Sequence, residues 1–418
     1  MFRFIHAADI HLDSPLKGLD DYEGAPVEEI RLAARRAFAR LVDLAIEERV
    51  AFVLIAGDLY DGEWRDFNTG HFFIAQASRL RQANIGMFLI AGNHDAHNKI
   101  TKALKLPDNC RLFPSDRPHT EYLAECAAVI HGQSFANAAV YEDLSLAYPK
   151  PVVGAFNIGM LHTSLTGSSA HDRYAPCTLD YLVAKGYDYW ALGHIHQREV
   201  LSEAPFVAFS GNIQGRHARE TGAKGCFLVT VDSQFRTSVE FRELGVMRWE
   251  TLIISLTAAR HREDALDAIG RTLDELTATI PDVPLALRLE LTGATAAHRS
   301  ILGAKESFLA EVRAQGIDRG QGRVWIEKVN VQTTAPSDVE RESVSEDAVG
   351  ELRLLFQEFR RDPQSIVDLR QEAADILRKL PAESTFEEQL REPAWLSAMA
   401  DEAEAWLMQR LLQDEDAS

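Results

Sequence analysis

Four cysteines, Cys110, Cys126, Cys177 and Cys226, are spread over 418 residues with no Cys-x-x-Cys pair. That excludes a disulfide scaffold and a zinc knuckle, and it predicts reduced thiols in a cytoplasm. No apolar run approaches the about 20 residues that a membrane helix needs. The longest runs, such as Ala51 to Ala56, have strand length. The start of the chain lacks the apolar stretch of a secretory signal, because Arg3, His6, Asp9 and Asp13 interrupt it. There is no Gly-x4-Gly-Lys-Ser/Thr, so no P-loop ATPase is encoded. Positive charge is scarce: 44 Lys and Arg face 63 Asp and Glu, a net charge of −19. That argues against a chain that coats nucleic acid, since phosphate binding rests on Lys and Arg. The deficit is uneven, however. From Ser337 to Ser418 there are 21 acidic and 9 basic residues, so −12 of the −19 sits in the last 82 residues. The acidity describes the tail more than any site, and bound cations would not be counted in it.

What is present is ordinary for a globular chain: 46% hydrophobic and 26% charged residues, at a length that suggests two or three domains. Residues 1–245 alternate between buried-strand runs and helical periodicity. Strands are expected at Phe2 to Ala8, Ala51 to Ala56, Gly86 to Ala91, Ala127 to His131, Gly154 to Leu161, Asp188 to Leu192, Phe206 to Ser210, Cys226 to Val231 and Ser238 to Leu244. Helices are expected at Val27 to Glu48, Asn68 to Gln82 and Leu179 to Lys185. This order argues for an α/β core. Residues 246–334 read as a small β-α-β-α-β domain, with helices at His261 to Thr279 and Ala297 to Gln315. Residues 335–418 read as an acidic helical region punctuated by Pro363, Pro381 and Pro393.

The expected strands end, one after another, in residues that bind metals. Asp9-Ile10-His11 follows the first. Gly57-Asp58-Leu59-Tyr60-Asp61 follows the second, and Gly92-Asn93-His94-Asp95 the third. His162 follows Gly159-Met160-Leu161, and Gly193-His194-Ile195-His196 follows Trp190-Ala191-Leu192. In an open α/β sheet, ligands bind beyond the carboxyl ends of the strands, so these turns converge. Singly, each has a plain explanation. An Asp-x-His is ordinary turn chemistry, and a lone histidine is more often packed in a core. All five in this order, each after a strand, have almost no such explanation. Mixed imidazole and carboxylate donors suit Mn²⁺, Fe²⁺ or Zn²⁺. Seven or eight donors exceed the needs of one ion, which predicts a pair of the kind that clamps phosphate.

This five-motif set resembles that of the calcineurin-like metallophosphoesterases over about the first 240 residues. Within that family the chain is most similar to the bacterial SbcD-type DNA repair exonucleases, in particular the YhaO-type branch. Phe4 to Asp13, His171-Asp172-Arg173-Tyr174-Ala175-Pro176 and Ser210 to His217 carry the narrower match. The resemblance implies a sandwich of two mixed β-sheets flanked by helices, with a capping domain after it. It implies one ion on Asp9, His11, Asp58 and His196, and a second on Asp58, Asn93, His162 and His194, with manganese the expected metal. His94 then matches the catalytic histidine, and Asp95 is expected to orient its ring. Asp61 falls where archaeal relatives carry histidine, so a role in phosphate positioning stands beside one in capping the next turn.

Arg173, Arg216, His217 and Lys224 are candidate nucleic-acid contacts, against the plainer reading of solvated basic loops. Tyr60 and Trp64 could stack on bases, although an aromatic beside a turn usually packs. Nucleases of this type work with an SbcC-like coiled-coil ATPase and often as homodimers. Two apolar faces, Leu352, Leu355, Phe356 and Phe359, and Trp406, Leu407 and Leu411, are candidate partner surfaces. The leading expectation is a two-metal DNA exonuclease or endonuclease in DNA repair, cytoplasmic and without a membrane partner. A phosphodiesterase or phosphatase for a small nucleotide is the alternative, and a non-catalytic scaffold is disfavoured because no motif residue is lost.

Overall fold

A computed structural model of the chain describes residues 1–14, 26–61, 67–97, 106–165, 174–280 and 282–336, with scattered positions from 352 to 407. Two compact units are present. One comprises Met1–Glu250 with Asp282–Leu287, and the other Thr251–Pro281 with Arg288–Ser418.

The first unit holds two six-stranded sheets. In the first sheet, β1 (Phe2–Ala7), β2 (Phe52–Ala56), β3 (Gly86–Ile90) and β4 (Cys110–Leu112) run parallel. The helices α1 (Val27–Glu47) and α2 (Phe67–Gln82) supply the first two crossovers. The second sheet contains β5 (His119–Leu123), β6 (Ala128–Gly132), β7 (Phe156–His162), β8 (Tyr189–Gly193), β9 (Glu199–Glu203) and β10 (Phe206–Phe209), in the order β5-β6-β7-β8-β10-β9. The helix α3 (Leu179–Ala184) joins β7 to β8. The chain then returns to the first sheet with β11 (Gly225–Val231) and β12 (Thr237–Glu243). β11 pairs antiparallel with β1, giving the order β12-β11-β1-β2-β3-β4.

The period-two pattern of the strands decides the layers. On β2, Val53 and Ile55 face Phe38, Leu41 and Phe73 of the helices. Its Phe52 and Leu54 face the other way, into a second core with Phe4, Ile130, Phe156, Ile158 and Tyr189. Both faces of β2 are therefore covered, which is why it reads as an unbroken apolar run. Phe4 stacks on Phe52 at 5.1 Å and meets Tyr189 edge-on at 5.2 Å. A third cluster, with Leu161, Trp190, Leu192 and Phe209, covers the outer face of the second sheet with Leu182 of α3. The result is the expected sandwich of two mixed sheets between helices.

The last sheet has the order β13 (Arg248–Ser255), β14 (Leu285–Ala294), β15 (Val324–Thr334). The helix α4 (Arg262–Thr279) buries Ile269 and Leu273. The single helix expected over Ala297 to Gln315 is two, α5 (His298–Gly303) and α6 (Lys305–Arg319), separated at Ala304 by non-helical φ −128° and ψ 42°. Most of 335–418, including Phe359 and Leu411, lies outside the described residues. No helix among the described residues is long and apolar enough to cross a membrane.

Candidate metal centre

The carboxyl ends of β1, β2 and β3 in one sheet, and of β7 and β8 in the other, open onto one place. The loops after β1 and β2 run side by side. Asp9 N–H donates to Gly57 O at 3.0 Å, and His11 N–H to Asp58 O at 3.0 Å. Asp9, His11, Asp58 and His194 all have positive φ, at 51°, 47°, 51° and 101°. A non-glycine residue in such a conformation costs about 1–3 kcal/mol, a strain that clusters at functional sites. Here the strain turns donors inward. The approach is close enough to require glycine: a Cβ on Gly92 would lie 2.3 Å from Asp58 Oδ1, and one on Gly193 only 1.9 Å from Ala56 O.

The donors meet in overlapping sets: Asp9, His11 and His196; Asp9, Asp58 and His162; and His11, Asp58 and His94. His11 Nε2 is 3.2 Å from His196 Nε2 and 3.8 Å from Asp58 Oδ2, while His196 Nε2 is 3.9 Å from Asp9 Oδ1. His162 Nε2 is 2.9 Å from Asn93 Oδ1 and 3.5 Å from Asp58 Oδ2. Ligand bonds of about 2.1 Å leave neighbouring donor atoms roughly 3–3.5 Å apart, so these spacings suit cations. The supports suit them too. His162 Nδ1 sits 2.9 Å from Ala56 O, and His196 Nδ1 sits 2.7 Å from Glu220 Oε1. Each support takes the Nδ1 proton and leaves Nε2 as a lone pair facing the cluster. His11 Nδ1 is buried without a hydrogen-bond partner among the described residues. Backbone N–H groups hold both aspartates, from His194 to Asp9 at 3.1 Å and from His94 to Asp58 at 2.9 Å.

A family model described as calcineurin-like phosphoesterase matches residues 2–198. One described as the middle domain of metallophosphoesterase YhaO matches residues 249–334. The uncharacterized metallophosphoesterase YhaO of Bacillus subtilis (strain 168) is 37% identical over 294 residues, covering 69% of this chain and 71% of its own. The chain belongs to the calcineurin-like metallophosphoesterases, in the YhaO family. The DNA double-strand break repair protein Mre11 of Saccharolobus solfataricus is 27% identical over 221 residues, 51% of this chain and 54% of its own. The chain thus spans about half the length of that relative. A solved dimetal phosphatase from Danio rerio overlaps at TM-score 0.35 with 9% identity, over 58% of this chain and 96% of its own, too low to bear on function. Calcineurin-like metallophosphoesterases are metal-dependent phosphoester hydrolases that bind two divalent ions, and the candidate ligands for two are present here.

In this metallophosphoesterase the histidine expected to be catalytic has a different partner from the one expected. Asp95 does not orient His94. Its carboxylate is occupied by three backbone N–H groups, of Leu59 at 3.1 Å, Tyr60 at 2.9 Å and Gly92 at 3.1 Å. It sits at the start of a short 3-10 turn and points back at the chain, tying the β2 and β3 loops together. Burial, reinforced by the Asp58 charge, pushes its pKa up to about 7. Asp61 takes the orienting place, with Oδ1 2.6 Å from His94 Nδ1. That hydrogen bond raises the pKa of His94. Burial opposes the charge on Asp61, but the hydrogen bonds from His94 and Ser14 outweigh it and hold the carboxyl well below its usual range. Ser14 Oγ also donates to Asp61. Burial likewise opposes charge on Asp58, and the neighbouring His162 overcomes it, so Asp58 is anionic. Burial and the Arg216 charge hold His11 well below the usual imidazole value, which keeps it neutral and able to bind a cation.

The basic residues divide. Lys224 is buried, and its Nζ donates to His196 O at 3.0 Å, so it supports the turn instead of presenting a charge to nucleic acid. Burial lowers its pKa. Arg216 lies beside the cluster, His217 is exposed, and Arg173 lies outside the described residues. Tyr60 is buried and packs on Phe73, which removes it as a stacking platform, while Trp64 lies outside the described residues. His194 packs its ring 5.2 Å from that of His162. Sequence reasoning missed Glu220, which holds His196, Asn212 and Arg216 together. Its only trace in the sequence is an acidic residue four positions after Arg216 in a basic loop.

Proposed function

We propose that this chain is a two-metal DNA nuclease, an exonuclease or endonuclease acting in DNA repair in the cytoplasm with an SbcC-like coiled-coil ATPase, and as a homodimer. The observation that carries the reading is the joining of imidazole and carboxylate donors from five strand ends beside a histidine whose proton affinity is raised by a carboxylate. The Mre11 similarity supports DNA as the substrate. The assignment of ions is one on Asp9, His11, Asp58 and His196, and one on Asp58, Asn93, His162 and His194, with manganese the first candidate.

Divalent cations held there supply Lewis acidity that activates water and offsets phosphate charge. The protein's own part is positioning. Asp58 is shared between the two donor sets, with Oδ2 3.8 Å from His11 Nε2 and 3.5 Å from His162 Nε2. The backbone N–H groups of His194 and His94 hold the carboxylates of Asp9 and Asp58 before substrate arrives, so little reorganisation is needed during reaction. With Nδ1 engaged by Asp61, His94 has Nε2 left to meet the phosphate or to protonate the leaving oxygen.

The test is a single gel. Protein stripped of metal and resupplied with Mn²⁺ is incubated with end-labelled linear DNA, beside the His94→Ala protein. Release of label that disappears in the variant supports the nuclease, and the end that shortens first sets its polarity. Intact DNA together with hydrolysis of bis(p-nitrophenyl) phosphate would replace it with a phosphodiesterase for a smaller nucleotide.

A further inference from the structure

We propose that Arg216 is a substrate-positioning residue that takes a phosphate of the nucleic acid at the metal centre, handed over from Glu220 and Asp61; this rests on the nuclease reading above. The guanidinium sits at the rim of the donor cluster with its side chain 14% exposed. Nη2 is 3.0 Å from Glu220 Oε1 and 3.2 Å from His196 Nδ1, Nε is 3.5 Å from Glu220 Oε2, and Nη1 is 3.4 Å from Asp61 Oδ2. The arginine thus spans from the support of one candidate ligand to the carboxylate that orients His94.

A cation here could brace Glu220 or face a ligand. Bracing does not require it. Glu220 already accepts from His196 Nδ1 at 2.7 Å, from Asn212 Nδ2 at 2.9 Å and from the backbone N–H of Arg216 at 2.8 Å. The last of these survives any change of the Arg216 side chain. Charge points the same way. A fixed guanidinium beside divalent cations is repelled, and Glu220 and Asp61 offset that repulsion in the resting site. An anionic phosphate between the cations and Arg216 turns repulsion into attraction. The resting contacts run from 3.0 to 3.5 Å and are divided between two carboxylates, whereas a phosphate offers the parallel fork that guanidinium matches. Transfer to phosphate leaves Asp61 Oδ2 with its Ser14 Oγ donor and leaves the 2.6 Å contact of Oδ1 with His94 in place. The neighbouring Lys224 is more buried, with its ammonium turned to His196 O.

The experiment separates clamp from brace. In the His94→Ala background at saturating Mn²⁺, binding of a fluorescent oligonucleotide is followed by anisotropy across a salt series. Mn²⁺ affinity is measured separately by electron paramagnetic resonance. Arg216→Gln is expected to weaken oligonucleotide binding about tenfold and to reduce the salt slope by about one, with Mn²⁺ affinity unchanged. Arg216→Lys, the gentler variant should the first not fold, restores the salt slope but not the full affinity. Weaker Mn²⁺ binding with unchanged oligonucleotide affinity would make Arg216 a brace and overturn the proposal. If the unsubstituted protein neither binds nor cuts DNA yet hydrolyses bis(p-nitrophenyl) phosphate, the nuclease reading fails by itself. The arginine is then read on that diester, where about a tenfold rise in KM for Arg216→Gln sustains a phosphate clamp and an unchanged KM rejects it.

Discussion

On the proposed assignment Asp58 is shared by the two ion sites and His94 serves the reaction, so single substitutions should separate the two roles. Asp58→Asn keeps one oxygen but loses the shared charge. It should lower bound Mn²⁺ below two per chain and cost more than about 100-fold in activity, more than loss of a supporting group does. His94→Ala should keep its Mn²⁺ while kcat falls roughly 10²–10⁴-fold, the usual worth of a positioned acid. Metal analysis beside kinetics checks both, and equal metal loss in the two proteins would remove the distinction. Asp61→Asn tests the newly found pair. Asp61 raises the pKa of His94. If His94 acts as the acid, activity is lost as pH rises through that pKa. Removing the carboxylate lowers the pKa, so the loss should move to lower pH, with kcat down about 10–100-fold and Mn²⁺ binding intact. An unmoved pH profile would return Asp61 to a packing role.

At the scale of elements, the two sheets are held together where β2 and β8 end. Gly193 meets Ala56 there with no room for a side chain. Gly193→Ala should force the sheets apart, costing about 3 kcal/mol of stability and weakening Mn²⁺ binding at the same time. Urea unfolding with metal titration checks it, and wild-type behaviour in both would contradict the crowding. The same junction explains what could be read from sequence. Central strands such as β2 and β8 are buried along their whole length, so each appears as an apolar run ending in glycine and a ligand residue. The edge strands β4, β5 and β9 were not legible, because their exposed residues, such as Arg111, Tyr122 and Glu199, give neither run nor alternation. Site residues behaved likewise. Those next to a strand end were legible by position. Glu220 was not, because it reaches His196 only through the folded loop, and the pairing of Asp95 with His94 implied by the family resemblance gave way to Asp61, which comes from another loop.

The whole molecule carries an acid liability separate from the metal centre. His131 is buried on β6, with Nδ1 3.0 Å from Thr120 Oγ1, Nε2 3.3 Å from Asn157 Oδ1 and its ring stacked 4.6 Å from Tyr187. Burial lowers its pKa to about 4, although the Asn157 hydrogen bond opposes the shift. His6, between Tyr189 and Leu192 O, is lowered by burial to about 3. Above pH about 6.5 both are neutral, folded or unfolded, and contribute no slope. As pH falls below that value the unfolded chain takes up protons that the folded chain refuses. Stability then drops by about 1.4 kcal/mol per pH unit for each such histidine, until the folded pKa is reached. The pH dependence of the whole chain sums many groups, so the useful quantity is a difference between proteins. His131→Gln should be less stable than the wild type at pH 7, where the packing is lost without a titration gain. Between pH 6.5 and 4.5 the gap should close by about 2 kcal/mol, because the variant no longer excludes that proton. Urea unfolding of both proteins at several pH values in chelator reads this directly. A constant gap would mean that His131 already takes up its proton in the fold, and His6 would then be the buried histidine to test next.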